Sequence, residues 1–254
     1  MRENFVINPK YSHLQPALKE ALYQFEKVGE YVTKGERNVI KKIELNGVVF
    51  NIKSFKTPNF FQSIIYQFFR KSKAKRSFEY ASKLANFGIG TPTPVAYIEF
   101  FTFGLKQSYY ISEHLEYDFD FRVLIHKPKF ENREEILRQF TQFTFKLHEN
   151  GVNFLDHSPG NTLITDVGNN KYEFYLIDLN RMRFEPMSFE KRMNNFRRLW
   201  PSKTMVKIMA DEYAKLYNKS SSETYETMLK YSRNFQKKKN SKKLRKRKRQ
   251  RSRA

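Results

Sequence analysis

The chain has 254 residues, 39% of them hydrophobic and including 25 Phe and 15 Tyr, enough for one two-lobed domain or two small ones and too apolar for wholesale disorder. It has no cysteine, which excludes disulfides and thiolate metal sites and fits a reducing compartment. The net charge is +22; Lys237 to Arg253 carries 12 basic residues and no acid, leaving +10 on the rest, an excess that implies an anionic partner such as nucleotide phosphate, anionic lipid or nucleic acid. No apolar run is long enough to cross a membrane, and Met1-Arg2-Glu3-Asn4 lacks the apolar stretch of a signal peptide, so a cytosolic chain is expected.

In chain order, Leu14, Leu18, Leu22 and Phe25 share one face of a helix predicted over 14–25. Residues 28–55 read as strands, with a hairpin at Asn46-Gly47 between Val39-Ile40-Ile43 and Val48-Val49-Phe50-Ile52. Helices follow over 59–71 and 74–87, the second closed by Gly88. Thr91-Pro92-Thr93-Pro94 is an extended connector to strands at 95–101 and 107–112, joined around Gly104. Ile136, Phe140, Phe143 and Leu147 form the seam of an amphipathic helix that Gly151 ends. A second hairpin is predicted from Thr162–Thr165 and Tyr172–Ile177, and helix from Ser188 to about Phe235. Strands first and helices afterwards make an α+β, two-lobed arrangement.

Chemistry concentrates between those last elements. Leu147 to Asn161 ends a helix, turns, and places Asp156 five residues before Asn161; Leu176-Ile177-Asp178-Leu179-Asn180 then puts a second aspartate at the end of an apolar strand. Phosphoryl transfer needs a carboxylate to receive a hydroxyl proton and hard oxygen ligands for magnesium. Either Asp156 or Asn161 alone would read as a turn cap. Taken with Asp178, the set resembles the protein-kinase-like superfamily, whose catalytic loop has Asp and Asn at this spacing and whose metal-binding Asp follows a hairpin.

The resemblance implies roles for the first half. Lys53, in the third strand, stands where the lysine on the α/β-phosphates belongs, and Glu79, on the following helix, stands where its ion-pair partner belongs. Gly35, in Lys34-Gly35-Glu36-Arg37-Asn38, occupies the phosphate-covering turn, although no G-x-G-x-x-G is present. The hinge backbone near Glu113 to Leu115 would receive adenine. Asp156 would be the catalytic base, Asn161 and Asp178 the magnesium ligands, and ATP the donor. His157 is expected to line the site. Phe154-Leu155 replaces the usual His-Arg, Asn180 replaces the glycine after the metal aspartate, and no Ala-Pro-Glu follows, which disfavours a peptide-docking protein kinase.

Gly88-Ile89-Gly90-Thr91-Pro92-Thr93-Pro94 and Asp178-Leu179-Asn180-Arg181 look like the lipopolysaccharide core kinases, over about residues 28–200. That resemblance implies phosphorylation of Kdo or heptose on a lipid-linked acceptor, at the inner face of the bacterial cytoplasmic membrane. Phe60, Phe61, Ile64, Ile65, Phe68 and Phe69 fall on one helical face, followed by Arg70, Lys71, Lys73, Lys75 and Arg76. With Phe61, Ile65 and Phe68 inserting and Arg70 and Lys71 among headgroups, this reads as an interfacial helix; a helix packed on the small lobe explains the same pattern. The expected organisation is a helical extension over 1–27, an N-lobe over 28–113, a C-lobe over 114–235 and a disordered basic tail over 236–254. Two other functions remain open: a small atypical protein kinase or small-molecule phosphotransferase, and a non-catalytic RNA-associated protein that binds nucleic acid through the tail.

Overall fold

The computed structural model describes residues 2–35 and 38–251 and divides into two compact units. The first runs to Glu116 and takes in Asp178–Asn180; the second comprises Tyr117–Ile177 and resumes at Arg181.

In the first unit, β1 (Arg2–Ile7), β2 (Glu30–Lys34), β3 (Asn38–Leu45), β4 (Val48–Phe55), β5 (Pro94–Phe101) and β6 (Leu105–Glu113) form one antiparallel sheet in the order β1-β5-β6-β4-β3-β2. Asn46 and Gly47 both take positive φ, 52° and 75°, the turn that the right-handed twist of a two-residue hairpin requires. Helix α1 (Gln15–Tyr23) buries Leu18 and Leu22 against Phe50, Ile52, Ile98 and Ile111, so the apolar face read from the sequence is the core face. The first 27 residues are not a separate helical extension. Arg2–Ile7 pairs with β5 along its whole length, and only three of those six residues, Phe5-Val6-Ile7, are apolar, too short a run to stand out as a strand. Helices α2 (Phe60–Phe68) and α3 (Lys73–Asn86) start at Asn59 and Ser72, whose side chains accept from the Gln62 and Lys75 amides at 2.9 and 3.0 Å.

Lys41, 2% exposed, ties the end of the α1 region to the sheet. Its Nζ donates to the carbonyls of Phe25, Glu26 and Val28 at 2.6, 3.1 and 2.9 Å. Replacing it with methionine keeps the stem but leaves three carbonyls without their donor. Thermal unfolding is expected to reveal a loss of about 2–4 kcal/mol; an unchanged melting temperature would contradict this role.

The second unit contains β7 (Phe119–Asp120), α4 (Arg122–His126), α5 (Arg133–Glu149), β8 (Val152–Phe154), β9 (Thr162–Asp166), β10 (Tyr172–Leu176), β11 (Met182–Phe184), α6 (Phe189–Asn195), α7 (Lys203–Tyr217) and α8 (Ser221–Arg251). The small sheets are β10-β9-β7 and β11-β8. Ile136, Phe140, Phe196, Met209 and Tyr213 form its fully buried core, with Phe143 packed at the edge. The basic run expected to be disordered is helical as far as Arg251. Ser221–Arg251 contains neither glycine nor proline, and lysine and arginine are good helix formers. Met228 and Ser232 bury the start of α8, whereas everything described beyond Lys238 is exposed.

Candidate active site

In the second unit, the loop after β8 is closed by its own backbone. Ser158 N donates to Asp156 O at 2.7 Å, Asn161 N to Ser158 O at 2.9 Å, and Ile177 N to Asn161 O at 3.0 Å. Asn161 Nδ2 also donates to Asp156 O at 2.9 Å, so the asparagine's side-chain oxygen is the end left for another partner. The spacing that singled out Asp156 and Asn161 thus corresponds to a direct contact. Asp156 Oδ1 lies 2.5 Å from Arg198 Nη2, and its Oδ2 lies 3.5 Å from Arg181 Nη1. Arg198 itself rests over the Phe235 ring of α8, 5.9 Å from its centroid. The sequence pattern gave no sign of Arg198, which comes from a short 3-10 helix, Phe196–Leu199, that no motif marks.

His157 does not line the site, as the sequence reading expected. It points into the core with 0% exposure, and its Nδ1 is 2.9 Å from Asn195 Oδ1. Asn195 in turn donates to Phe154 O and Asn153 Oδ1, while His148 joins from α5, 3.3 Å from Asn195 Oδ1 and 2.9 Å from the Tyr213 hydroxyl. This network fixes the loop from beneath. Its members are scattered from 148 to 213, which is why no local motif reveals them.

Burial pushes His157 down to about 4 and His148 to about 3, with the Asn195 contact opposing it in each, so both rings are neutral in the folded chain. A histidine depressed on folding leaves the unfolded state binding more protons. Its stabilising effect is therefore complete above about pH 6.5 and is lost as the pH falls towards the folded values. The melting temperature is expected to fall steadily from pH 6.5 to pH 4, and His148→Gln and His157→Gln are each expected to flatten that slope. Equal slopes in wild type and variants would contradict the assignment.

In the first unit, Lys53 reaches Asp178. Its Nζ lies 2.7 Å from Asp178 Oδ1, and Asn180 Nδ2 donates to the same oxygen at 2.7 Å. Asp178 holds φ at 57°, a left-handed conformation that aspartate tolerates better than most side chains. Arg76, 8% exposed on α3, donates to Asn180 O at 2.8 Å and anchors the Asp178–Asn180 segment. Asn180, which entered the sequence reading as a departure from the kinase pattern, is therefore the residue that orients Asp178.

Glu79 is not the partner of Lys53. Both its carboxylate oxygens accept from Lys71, at 2.8 and 2.9 Å, so α3 supports this region through Arg76 instead. At the end of β6, the amides of Glu113 and His114 are taken by Thr93 O and Val49 O, and the Leu115 amide is the next donor along. The Glu113 side chain accepts from the Tyr11 hydroxyl. Gly35 N donates to Asn38 O at 3.2 Å; Glu36 and Arg37, between them, lie outside the described residues.

The fold, an antiparallel sheet in the N-terminal part with helices after it, is of the protein-kinase-like class. Among solved structures, one titled "WaaP in complex with acyl carrier protein" aligns with a TM-score of 0.66 at 15% identity, covering 93% of this chain and 99% of that one, a likeness of fold. Curated protein sequences yield no match. The lipopolysaccharide kinase (Kdo/WaaP) family matches residues 52–219, more than half of the chain, and the chain belongs to that family. It is thus a kinase, a phosphotransferase whose family implies ATP as donor, and Lys53, Asp156, Asn161 and Asp178 all lie inside the matched region.

Proposed function

We propose that the chain transfers the γ-phosphoryl group of ATP to a hydroxyl of Kdo or heptose in the lipopolysaccharide inner core. The observation that carries this reading is the family match over residues 52–219. Asp156 takes the proton of the acceptor hydroxyl as that oxygen attacks the γ-phosphorus, and the bond to the β–γ bridging oxygen breaks to release ADP. Lys53 neutralises charge on the α- and β-phosphates. The Leu115 amide and the Glu113 carbonyl offer adenine a donor and an acceptor, and the Gly35 turn covers the phosphates.

Magnesium would be held by the residue types that the family resemblance implies, and each offers one hard oxygen left over after its neighbour is hydrogen-bonded: Asn161 Oδ1 in the second unit and Asp178 Oδ2 in the first. Among the described residues no group of three His, Cys, Asp or Glu could hold a metal, so a dedicated protein cage is not what this set provides. Magnesium, when bound, neutralises the β- and γ-phosphates. Comparing the phosphate content of the host's inner core with and without this chain tests the function; equal content would overturn it.

We infer also that the chain works at the inner face of the cytoplasmic membrane. No helix among the described residues is long and apolar enough to cross a bilayer. What supports peripheral docking is α2, which buries none of its residues; Phe61 and Phe69 are 77% and 84% exposed, with Phe60, Ile65 and Phe68 beside them. A helix packed into a core would not leave that face in water. The opposite face sits on the sheet, where Ser63 approaches Gly104 so closely that a Cβ there would be 1.9 Å from the serine oxygen. Phe103, at the tip of the same hairpin, is 92% exposed. Arg70, Lys71 and Lys75 line a cavity of about 590 Å³ at the end of α2 and supply the positive flank. Arg76 does not belong to that flank, being buried against Asn180.

Replacing Phe61, Ile65 and Phe68 with serine is expected to leave the melting temperature unchanged. The same change should weaken sedimentation with phosphatidylglycerol-containing vesicles at both low and high salt. Unchanged vesicle binding would overturn the docking face, and loss of binding to acyl carrier protein alone would assign that face to a protein partner.

A further inference from the structure

The loop that carries Asp156 is crowded by guanidinium groups, all within the second unit. Arg198 and Arg181 hold one carboxylate oxygen each, at 2.5 and 3.5 Å. Arg122 packs against the loop at Gly160, its Nη2 only 1.9 Å from where a Cβ would stand, so a larger residue there would displace its guanidinium. Asp120 answers Arg122 at 2.8 Å, which leaves two cations for the single charge of Asp156. Arg198 is also incompletely satisfied, since its Nε is buried without an acceptor. Arg181 keeps about half of its side chain in water, 53%, so it has both the freedom and the access to meet a ligand.

Such a surplus has chemical consequences for the acceptor. A neutral sugar offers guanidinium groups only hydroxyls, and they stay on the carboxylate that must take the proton. A sugar acid offers a planar carboxylate, the group whose geometry matches the guanidinium fork. Of the two sugars that the proposed function leaves open, Kdo is an acid and heptose is not.

We propose that Arg181 and Arg198 select an acceptor bearing a carboxylate near the hydroxyl to be phosphorylated, and that this carboxylate draws them off Asp156 and so frees the base. The inference rests on the reading of the chain as an inner-core sugar kinase. It makes the two arginines positioning residues whose contact with Asp156 is a latch opened by the correct substrate. It also gives a task to the arginine of Asp178-Leu179-Asn180-Arg181, which the phosphoryl-transfer roles leave unused.

The test compares a Kdo-bearing lipid A precursor with the same compound converted to its Kdo carboxamide, using the full chain, ATP and magnesium. Wild type is expected to prefer the acid by on the order of 10²-fold in kcat/KM. Arg181→Gln is expected to abolish most of that preference, chiefly by raising KM for the acid, while leaving KM for ATP unchanged. Arg198→Gln is expected to raise ATP hydrolysis in the absence of any acceptor, because the base is no longer held. Arg181 is half-exposed, so its variant folds even if the Arg198 variant does not.

Equal use of acid and carboxamide by wild type would overturn the proposal while leaving the kinase reading intact. So would an Arg181→Gln variant impaired equally on both acceptors with a raised KM for ATP, which would assign the arginine to the nucleotide phosphates. Phosphorylation of neither compound would overturn the acceptor reading and this inference together.

Discussion

Replacing Asp156 with alanine is expected to lower turnover by about 10²–10⁴-fold, the range that general-base assistance contributes, while ATP affinity is retained. Affinity survives because Lys53 and the Asp178 segment that meets it belong to the other unit and do not depend on Asp156 for their contacts. Asp156→Asn is the more informative variant. It keeps an oxygen for the Arg198 hydrogen bond and removes only the charge and the proton-accepting ability, so a loss equal to that of the alanine variant isolates the base function from the structural one. Steady-state rates with the lipid-linked acceptor and nucleotide titration of both variants check this. An alanine variant with near-normal turnover would remove Asp156 from the chemistry.

Asp178→Ala is expected to abolish the enhancement of nucleotide affinity by magnesium. Losing groups that merely support a metal ligand costs about 10–100-fold in metal affinity or activity, so loss of the ligand itself is expected to cost at least that. Alanine also fits the left-handed backbone at φ 57° less well than aspartate does, and about 1 kcal/mol of stability is expected to go with it. Asp178→Asn separates the two effects, since asparagine tolerates the same conformation and lacks only the charge. Nucleotide titrations with and without magnesium, alongside thermal unfolding, distinguish them; a full magnesium enhancement in either variant would rule out Asp178 as the ligand.

The parts of the fold that could be read from the sequence are those governed by local rules. Asn46-Gly47 dictated its hairpin, the spacing of Leu18 and Leu22 dictated the buried face of α1, and Ile136, Phe140 and Leu147 dictated that of α5. β1 escaped because its pairing with β5 joins residues about ninety positions apart and its own sequence is half polar. The helical basic segment was misread as disorder because charge repulsion was weighed and the absence of helix breakers was not.

The candidate site divides in the same way. Asp156, Asn161, Asp178 and Lys53 were offered by the sequence because phosphoryl transfer fixes residue types and their order along the chain, and among them Asn161 contacts Asp156 and Lys53 contacts Asp178. Glu79 was assigned by analogy of position, and the assignment failed because Lys71, eight residues earlier, is a nearer cation than Lys53. Arg76, Asn195 and Arg198 support these segments through hydrogen bonds between residues 41 to 104 positions apart, across which no spacing rule reaches, and Asn180 bonds Asp178 from two residues on.

Acceptor phosphorylation is the most direct test of the proposed activity. Purified chain incubated with γ-labelled ATP, magnesium and a Kdo-bearing lipid A precursor is expected to place label on the lipid-linked sugar, in an ester that Asp156→Ala does not form. Label appearing only on protein or on a soluble small molecule, or appearing on the lipid equally with the Asp156→Ala variant, would contradict it.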